Sequence, residues 1–393
     1  MSEVRHQPEV QEENKPMKSR FSEELEMFRD TVRRFLAAEL VPRNGMFDSQ
    51  QALREFWSNA GALGLLGAAI PEQYGGPGLD RLSIVIIAEE LGRLSAGAVA
   101  GASLTSDIAT SVLIDAGSEE QKRKWFPGIL AGKVIQALAM TEPEAGSDAG
   151  AIRTRAVRDG DHYVINGSKC FISNGTIADV IYVIAKTEGS ERTRGMTAFI
   201  VPADTPGLTR RKHATLGYRG GDTGELFFDN VRVPLEDRIG DEGAAFKLFD
   251  TAVTLDRFHI ASRSWAASQT AFETTLEHAR QRKMFGQRLI DMQNTQFKLG
   301  MIETELAVSR SFIDRCLDAY RIGEFSMADG AMLKIWLPEM EGRVMDACLQ
   351  LWGGSGWMED HPIAQMFTAA RLQRIWAGAT ELQLSVLGRR YLR

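Results

Sequence analysis

The hydrophobic period of this chain changes twice, and that confines it to few architectures. Phe21, Leu25, Phe28, Val32, Phe35 and Leu36 recur on one helical face. Ser22 stands where an N-cap belongs, with Glu23 and Glu24 in an acidic first turn. Ser118-Glu119-Glu120-Gln121 has capping-box spacing and opens another helix, while a Gly/Pro loop at 71–78 punctuates the stretch. Between about 134 and 240 the helical period disappears. His162-Tyr163-Val164-Ile165, Val180-Ile181-Tyr182-Val183-Ile184 and Met196-Thr197-Ala198-Phe199-Ile200-Val201 are rich in β-branched and aromatic residues. Turn signals at Asp159-Gly160-Asp161 and Asn166-Gly167 separate such runs, predicting an antiparallel sandwich or barrel. After Gly243 helical spacing returns, with Phe297, Met301, Val308 and Phe312 as one long apolar stripe. The pattern predicts a mainly α fold with a β insert. Its parts are a flexible tail over 1–20, a helical domain over 21–133, a β domain over 134–240 and a helical domain over 241–393.

Composition removes several function classes. A length of 393 residues is enough for a large core or for two or three sub-domains. A formal net charge of -6 and a pI near 5.7 argue against nucleic acid as the main partner, because phosphate binding needs a basic surface. No apolar run approaches the roughly 18 residues of a membrane span. The first twenty residues lack an apolar signal core, and Glu3, Glu9, Glu12 and Glu13 are wrong for a transit peptide, so a cytoplasmic location is expected. Three scattered cysteines and six histidines without HxxxH spacing predict neither a disulfide framework nor a metal site.

The most telling segment is 140–156. An apolar run ends at Met140, a Thr-Glu-Pro turn and a Gly-Ser-Asp loop follow, and an alternating strand begins near Arg155. Pro143 and Gly146 push the chain out of a ladder and free N–H groups where a flat ligand could lie. On residues alone such a loop is more often a surface connection. Phe171, within Lys169-Cys170-Phe171-Ile172-Ser173-Asn174-Gly175, is by the same standard a core aromatic. Arg280-Gln281-Arg282-Lys283-Met284-Phe285-Gly286 reads as a basic helix end with a glycine stop.

Taken together, these motifs resemble the acyl-CoA dehydrogenases in order and spacing from about residue 21 to the end, and most resemble the long-chain and isovaleryl-type subgroup. The resemblance implies an N-terminal helical domain, a middle antiparallel β domain and a C-terminal four-helix bundle, with FAD as cofactor. It implies that Leu138, Met140, Thr141, Gly146 and Ser147 line the flavin, that Ser147 also faces the acyl-CoA, and that Phe171 and Ser173 lie on a strand covering one flavin face. Arg282 and Phe285, with Gln293 nearby, would reach the FAD of a neighbouring subunit; an arginine fork suits a pyrophosphate because it pairs two oxygens at once. Gln350, Gly353 and Gly354 would make a second pyrophosphate and adenosine contact, where glycine admits close backbone approach. Ala379 and Glu381 complete the cofactor set. FAD shared across subunits implies a homo-oligomer, in the family a tetramer, with an electron-transfer flavoprotein taking the electrons. No GxGxxG follows a strand, so a Rossmann flavin site is not expected.

The catalytic base departs from the commoner family pattern. Many members carry it as Glu in Tyr-Glu-Gly-Thr, and here Ala377 occupies that place in Trp376-Ala377-Gly378-Ala379-Thr380. The subgroup that moves the Glu to a helix, just before an Arg, aligns with Thr254-Leu255-Asp256-Arg257, making Asp256 the candidate base. Phe249, Val253, Asp256 and Ile260 share one helical stripe, so the carboxylate would be poorly hydrated and more basic. A buried Asp held by Arg257 explains the pattern equally well on residues alone. Aspartate is roughly 1.5 Å shorter in reach than glutamate, and a misplacement of that order costs about a hundredfold in rate. By resemblance the backbone N–H of Ala377 still clamps the thioester carbonyl, while Lys247, Thr254, Arg257 and Gly378 join Ser147 at the substrate. A flavin monooxygenase on the same scaffold, needing no base, and a relative that has lost catalysis are the competing readings.

Overall fold

The computed structural model describes residues 20–100, 107–187 and 192–392. The expected tail lies, apart from Arg20, outside the described residues.

Six helices come first: α1 (Glu23–Glu39), α2 (Gln50–Ala62), α3 (Ser83–Gly92), α4 (Ser95–Ala100), α5 (Asp107–Ala116) and α6 (Glu119–Leu130). Their ends follow from local chemistry. The Ser22 hydroxyl accepts the Leu25 N–H at 3.3 Å, and Ser118 and Gln121 close a reciprocal capping box at α6. α3 is buried on every face. Its Glu89 and Glu90 are therefore ion-paired, to Arg29 at 2.7 and 3.1 Å and, for Glu90, to Arg33 at 3.0 Å.

Strands β1 (Gln136–Ala139), β2 (Arg155–Asp159), β3 (His162–Ser173), β4 (Val180–Lys186), β5 (Met196–Pro202), β6 (Leu208–Lys212), β7 (Thr223–Pro234) and β8 (Arg238–Ile239) form one sheet, ordered β6-β7-β3-β2-β4-β5-β8, with β1 against β4. Both faces of β4 are covered, which is why it reads as an unbroken apolar run. Val180, Tyr182 and Ile184 face Val112, Phe126 and Phe249 of the helices. Ile181, Val183 and Ala185 face Tyr163, Phe199 and Val233 within the sheet. The sheet is not wholly antiparallel. β1 runs parallel to the first half of β4 (Gln136 opposite Val180), and β2 rejoins the same edge at Arg155 opposite Lys186. The loop between them thus leaves and re-enters one edge of one strand.

Asn166-Gly167 is not the turn its composition predicts. It lies inside β3, where the register with β7 shifts between Ile165 and Gly167. A Cβ on Gly167 would come within 2.7 Å of the Thr154 backbone, so glycine marks a close chain crossing and a bulge. Asp159 and His162, by contrast, do flank a tight turn with Gly160 at φ 65.

The chain then enters α7 (Ala245–Gln281), 37 residues and about 55 Å long. From Arg257 to Ser264 every residue is enclosed, because α7 runs between α3 and the later helices. A hairpin, β9 (Lys283–Met284) and β10 (Gln287–Arg288), follows, then α8 (Gln293–Arg321), α9 (Met327–Trp352), α10 (Pro362–Gln373) and α11 (Thr380–Gly388). The fold is therefore the expected one, helices on either side of a β unit. The α8 stripe is the exception: Leu299, Ile302, Leu306 and Ile313 face the core, while Phe297, Met301 and Val308 are solvent-facing.

Candidate functional site

The loop from Met140 to Thr154 is anchored by a buried ion pair. Lys169, fully enclosed on β3, donates to Glu142 Oε1 and to the Met140 carbonyl, each at 2.8 Å. Glu142 also accepts the N–H groups of Arg153 (2.6 Å) and Thr154 (3.0 Å). Burial pushes the Lys169 ammonium down to about 8, with Glu142 opposing that fall. Burial raises Glu142, but Lys169 and the donors around it hold the carboxyl below its ordinary value. This pair was not singled out from sequence, since nothing marks two residues 27 positions apart as partners.

So anchored, the loop presents open donors. Among the described residues the N–H groups of Thr141, Gly146 and Ser147 and the Thr141 hydroxyl take no hydrogen-bond partner. Leu138 and Met140 are half-buried behind them, and Gly146 and Ser147 are exposed. Across from the loop, Phe171 is not a core residue. It is 67% exposed, at φ 58, in the bulge between Lys169 and Ile172 of β3. A bulky residue in the left-handed region costs of order 1–2 kcal/mol, and such strain persists where the surroundings impose it. Its ring lies 5.8 Å from that of His213, and Ser173 ends the same strand.

A partly open cleft lies between α3, α5 and α7, lined by Leu65, Ile84, Ile87, Ile114, Leu255 and Asp256 among others. Among the described residues Asp256 is the sole carboxylate in that lining, with its side chain 13% exposed. The His259 ring, with Nδ1 at 3.2 Å, holds it in place. Of the expected stripe, Phe249 and Ile260 are buried and Val253 and Asp256 half-buried; Arg257 is the more enclosed neighbour. Thr254 lies against Gly330 of α9, and Lys247 is exposed on the first turn of α7. Lys334 of α9 is fully buried, donates to the Gln373 carbonyl at 2.5 Å and feels the charge of Asp256; burial pushes it down to about 8. Asp256 is thereby tied to the segment that carries Ala377.

That segment is a strained turn. Ala377 has φ 49 and Gly378 φ 92, and the Thr380 N–H closes the turn on the Arg374 carbonyl at 3.1 Å. The Ala377 and Gly378 N–H groups take no partner among the described residues. Ala379 then caps α11, with Glu381 exposed in its first turn.

At the far end of α7 the expected glycine stop is replaced by other geometry. The helix ends at Gln281, Arg282 is extended, and Phe285-Gly286 forms a two-residue turn with φ 50 and 78. Positive φ at both positions suits the twist of a tight hairpin. The turn leaves Phe285 89% exposed. Nearby, His278 stacks on Trp352 at 3.8 Å, and the charge of Arg282 reaches His278. The stacking joins the end of α7 to the end of α9, where Gln350, Gly353 and Gly354 are exposed; a Cβ at either glycine would meet nothing within 4 Å. Gln293 is exposed at the start of α8.

Models of the acyl-CoA dehydrogenase N-terminal, middle and C-terminal domains match residues 22–133, 137–231 and 244–392. The chain belongs to the acyl-CoA dehydrogenase family. The pig mitochondrial long-chain specific acyl-CoA dehydrogenase is 38% identical over 373 residues, 94% of this chain and 86% of that protein. The acyl-CoA dehydrogenase structure from Geobacillus kaustophilus matches with a TM-score of 0.89 and 37% identity, over 95% of this chain and 99% of that one. An acyl-CoA dehydrogenase from Bacillus anthracis complexed with FAD matches with a TM-score of 0.86 and 28% identity, over 95% of this chain and 69% of that one. As a member of the acyl-CoA dehydrogenase family the chain is an oxidoreductase, and FAD is its cofactor. Open donors along 141–147, an outward aromatic at 171 and bare glycine backbone at 353–354 fit a flat, donor-accepting ring system with a phosphate tail. Among the described residues no His, Cys, Asp or Glu cluster could hold a metal, and no helix is long and apolar enough to cross a membrane.

Proposed function

We propose that the enzyme dehydrogenates an acyl-CoA thioester at its α,β carbons to the trans-2-enoyl-CoA, with Asp256 as base. The observation that carries this is the place of Asp256, among the described residues the one carboxylate lining an otherwise largely apolar cleft. Its oxygens take the α-proton, and His259 keeps the carboxylate from swinging away. Bound FAD supplies the acceptor for the hydride leaving the β-carbon. The open Ala377 N–H donates to the thioester carbonyl, where negative charge develops as the α-proton departs. Arg257 and Lys334 add positive charge near Asp256, and Ser147 and Gly378 border the acyl-CoA.

Leu138, Met140, Thr141, Gly146, Ser147, Phe171 and Ser173 form the flavin side of the site in this reading. Arg282, Phe285, Gln293, Gln350, Gly353, Gly354, Ala379 and Glu381 serve the phosphate and adenosine end of a neighbour's cofactor. The outward Phe297, Met301 and Val308 of α8 and the bare Phe285 support self-association, consistent with a tetramer. Electrons pass on to an electron-transfer flavoprotein, and the enzyme works in the cytoplasm in fatty-acid β-oxidation. Anaerobic mixing with a panel of acyl-CoA thioesters tests the activity: bleaching of the flavin without oxygen supports it. Because Ala377 carries no carboxylate, monooxygenation on this scaffold is the second reading; a flavin that turns over only with oxygen would favour it.

A further inference from the structure

We propose that Gln373 is a positioning residue that sets the carbonyl-binding turn at Ala377; the proposal rests on the reading of that N–H as the thioester clamp. Gln373 closes α10 and is 1% exposed, an unusual place for an amide unless each polar atom is used. All three are. Its side-chain N–H donates to the Tyr218 hydroxyl at 2.6 Å, its side-chain oxygen accepts the Trp376 indole N–H at 2.9 Å, and its backbone carbonyl accepts Lys334 at 2.5 Å.

These contacts reach three parts of the molecule. Tyr218 belongs to the loop between β6 and β7 and is itself held at φ 56, with Arg263 of α7 5.0 Å above its ring. Arg263 in turn donates to the Gly97 carbonyl at 2.7 Å. The Tyr218 and Trp376 rings lie 5.8 Å apart. The residue after Trp376 is Ala377. The direction of its N–H therefore follows from where the Trp376 ring is pinned. On the other side of the turn, Gln383, fully buried, donates to the Gly378 carbonyl at 3.4 Å. The bond from the Trp376 indole to Gln373 is the shorter of the two side-chain ties on the turn, so the turn is held more firmly from its N-terminal side.

A turn with two left-handed residues is not self-supporting, and loss of its anchor lets the backbone relax. The clamp would then misalign while the cofactor cradle at 138–173 stays as it was. The test uses the holoenzyme and trans-2-enoyl-CoA carrying carbon-13 at the thioester carbonyl, read by isotope-edited infrared difference spectroscopy. In the wild type the bound carbonyl stretch falls below that of the free thioester. In Gln373→Leu it moves back toward the free value, and anaerobic flavin reduction at saturating acyl-CoA slows by about tenfold or more, with FAD content and half-saturating substrate within about twofold. Tyr218→Phe, which removes one of the two side-chain bonds, gives an intermediate stretch and rate. Wild-type stretch and rate in Gln373→Leu overturn the proposal; should that variant not fold, the same result in Tyr218→Phe does so. A wild type that bleaches flavin without any lowering of the stretch overturns the clamp and the positioning role together. A wild type that no acyl-CoA bleaches sinks the functional reading itself.

Discussion

Asp256→Asn should nearly abolish flavin reduction while leaving the fold intact, and the structure sets the size of each effect. The amide has the shape of the carboxylate and keeps an oxygen for His259, whose Nδ1 is 3.2 Å away. With the side chain 13% exposed, loss of the charge felt by buried Lys334 should cost about 1–3 kcal/mol in stability. The catalytic loss is larger because no substitute stands by. No other carboxylate among the described residues lines the cleft, and Ala377 offers only a methyl group. A positioned base contributes about 10²–10⁴ in rate, or about 3–5 kcal/mol of barrier. Stopped-flow bleaching at saturating acyl-CoA, with dithionite reduction as a control for an intact flavin, measures it. A second variant sharpens the result. In Asp256→Asn/Ala377→Glu the carboxylate returns at the other family position, on a backbone already held at φ 49, and at least tenfold of the lost rate should reappear. Bleaching by Asp256→Asn within threefold of wild type would refute the assignment, because it would place the proton acceptor elsewhere.

Other perturbations separate cofactor, core and assembly. Phe171→Gly removes the penalty of φ 58, so the apoprotein should gain about 1 kcal/mol in denaturant unfolding while FAD binds more weakly by titration; a gain in both would argue against a flavin-facing role. Lys169→Met strands the buried Glu142 carboxylate, with an expected loss of about 3–5 kcal/mol and poor FAD retention; a loss under 1 kcal/mol would mean the pair is not the anchor. Burial raises Glu341 to about 7, so its proton stabilises the fold fully below pH 4.5, and that contribution fades as pH rises through 7. The gap from the ordinary 4.5 corresponds to about 3 kcal/mol, and Glu341→Gln should flatten stability between pH 4.5 and 8 by that order in urea titrations. Phe297→Asp/Met301→Asp should split the oligomer in light scattering without lowering helix content; an unchanged mass would exclude this face as an interface.

What could be read from the sequence was what repeats or what sits next to itself. The 3.6 and 2.0 periods separated helix from strand, and Ser22 and Ser118 announced their caps because capping acts over three residues. The helical stripe placed Asp256 on a partly apolar face, and only resemblance proposed it as the base, since its cleft is assembled from three helices. Phe171, read on residues alone as a core aromatic, and the glycine stop expected at 286 misled for one reason. An aromatic in a strand-like run is read as buried and a glycine after a basic run as a helix stop, yet Phe171 and Phe285 both take left-handed backbone that turns them outward, and no local residue signals this. Asn166-Gly167 carried a turn signal but met Thr154 instead of solvent. Glu142 with Lys169, and Gln373 with Tyr218, join residues far apart in the chain, and no window along it could pair them.

α7 carries Asp256 near one end and leads into Arg282 at the other, 26 residues and about 39 Å further on. On the assignments proposed above, those two ends serve different catalytic centres, one belonging to the chain itself and one to its neighbour. The helix then acts as a ruler between centres. Lengthening or bending it would leave each half-site chemically intact yet misplace one against the other. Substitutions that favour a new acyl group at one end are thus constrained by cofactor geometry in a second copy, and the unit on which selection operates is the assembly and not the single chain.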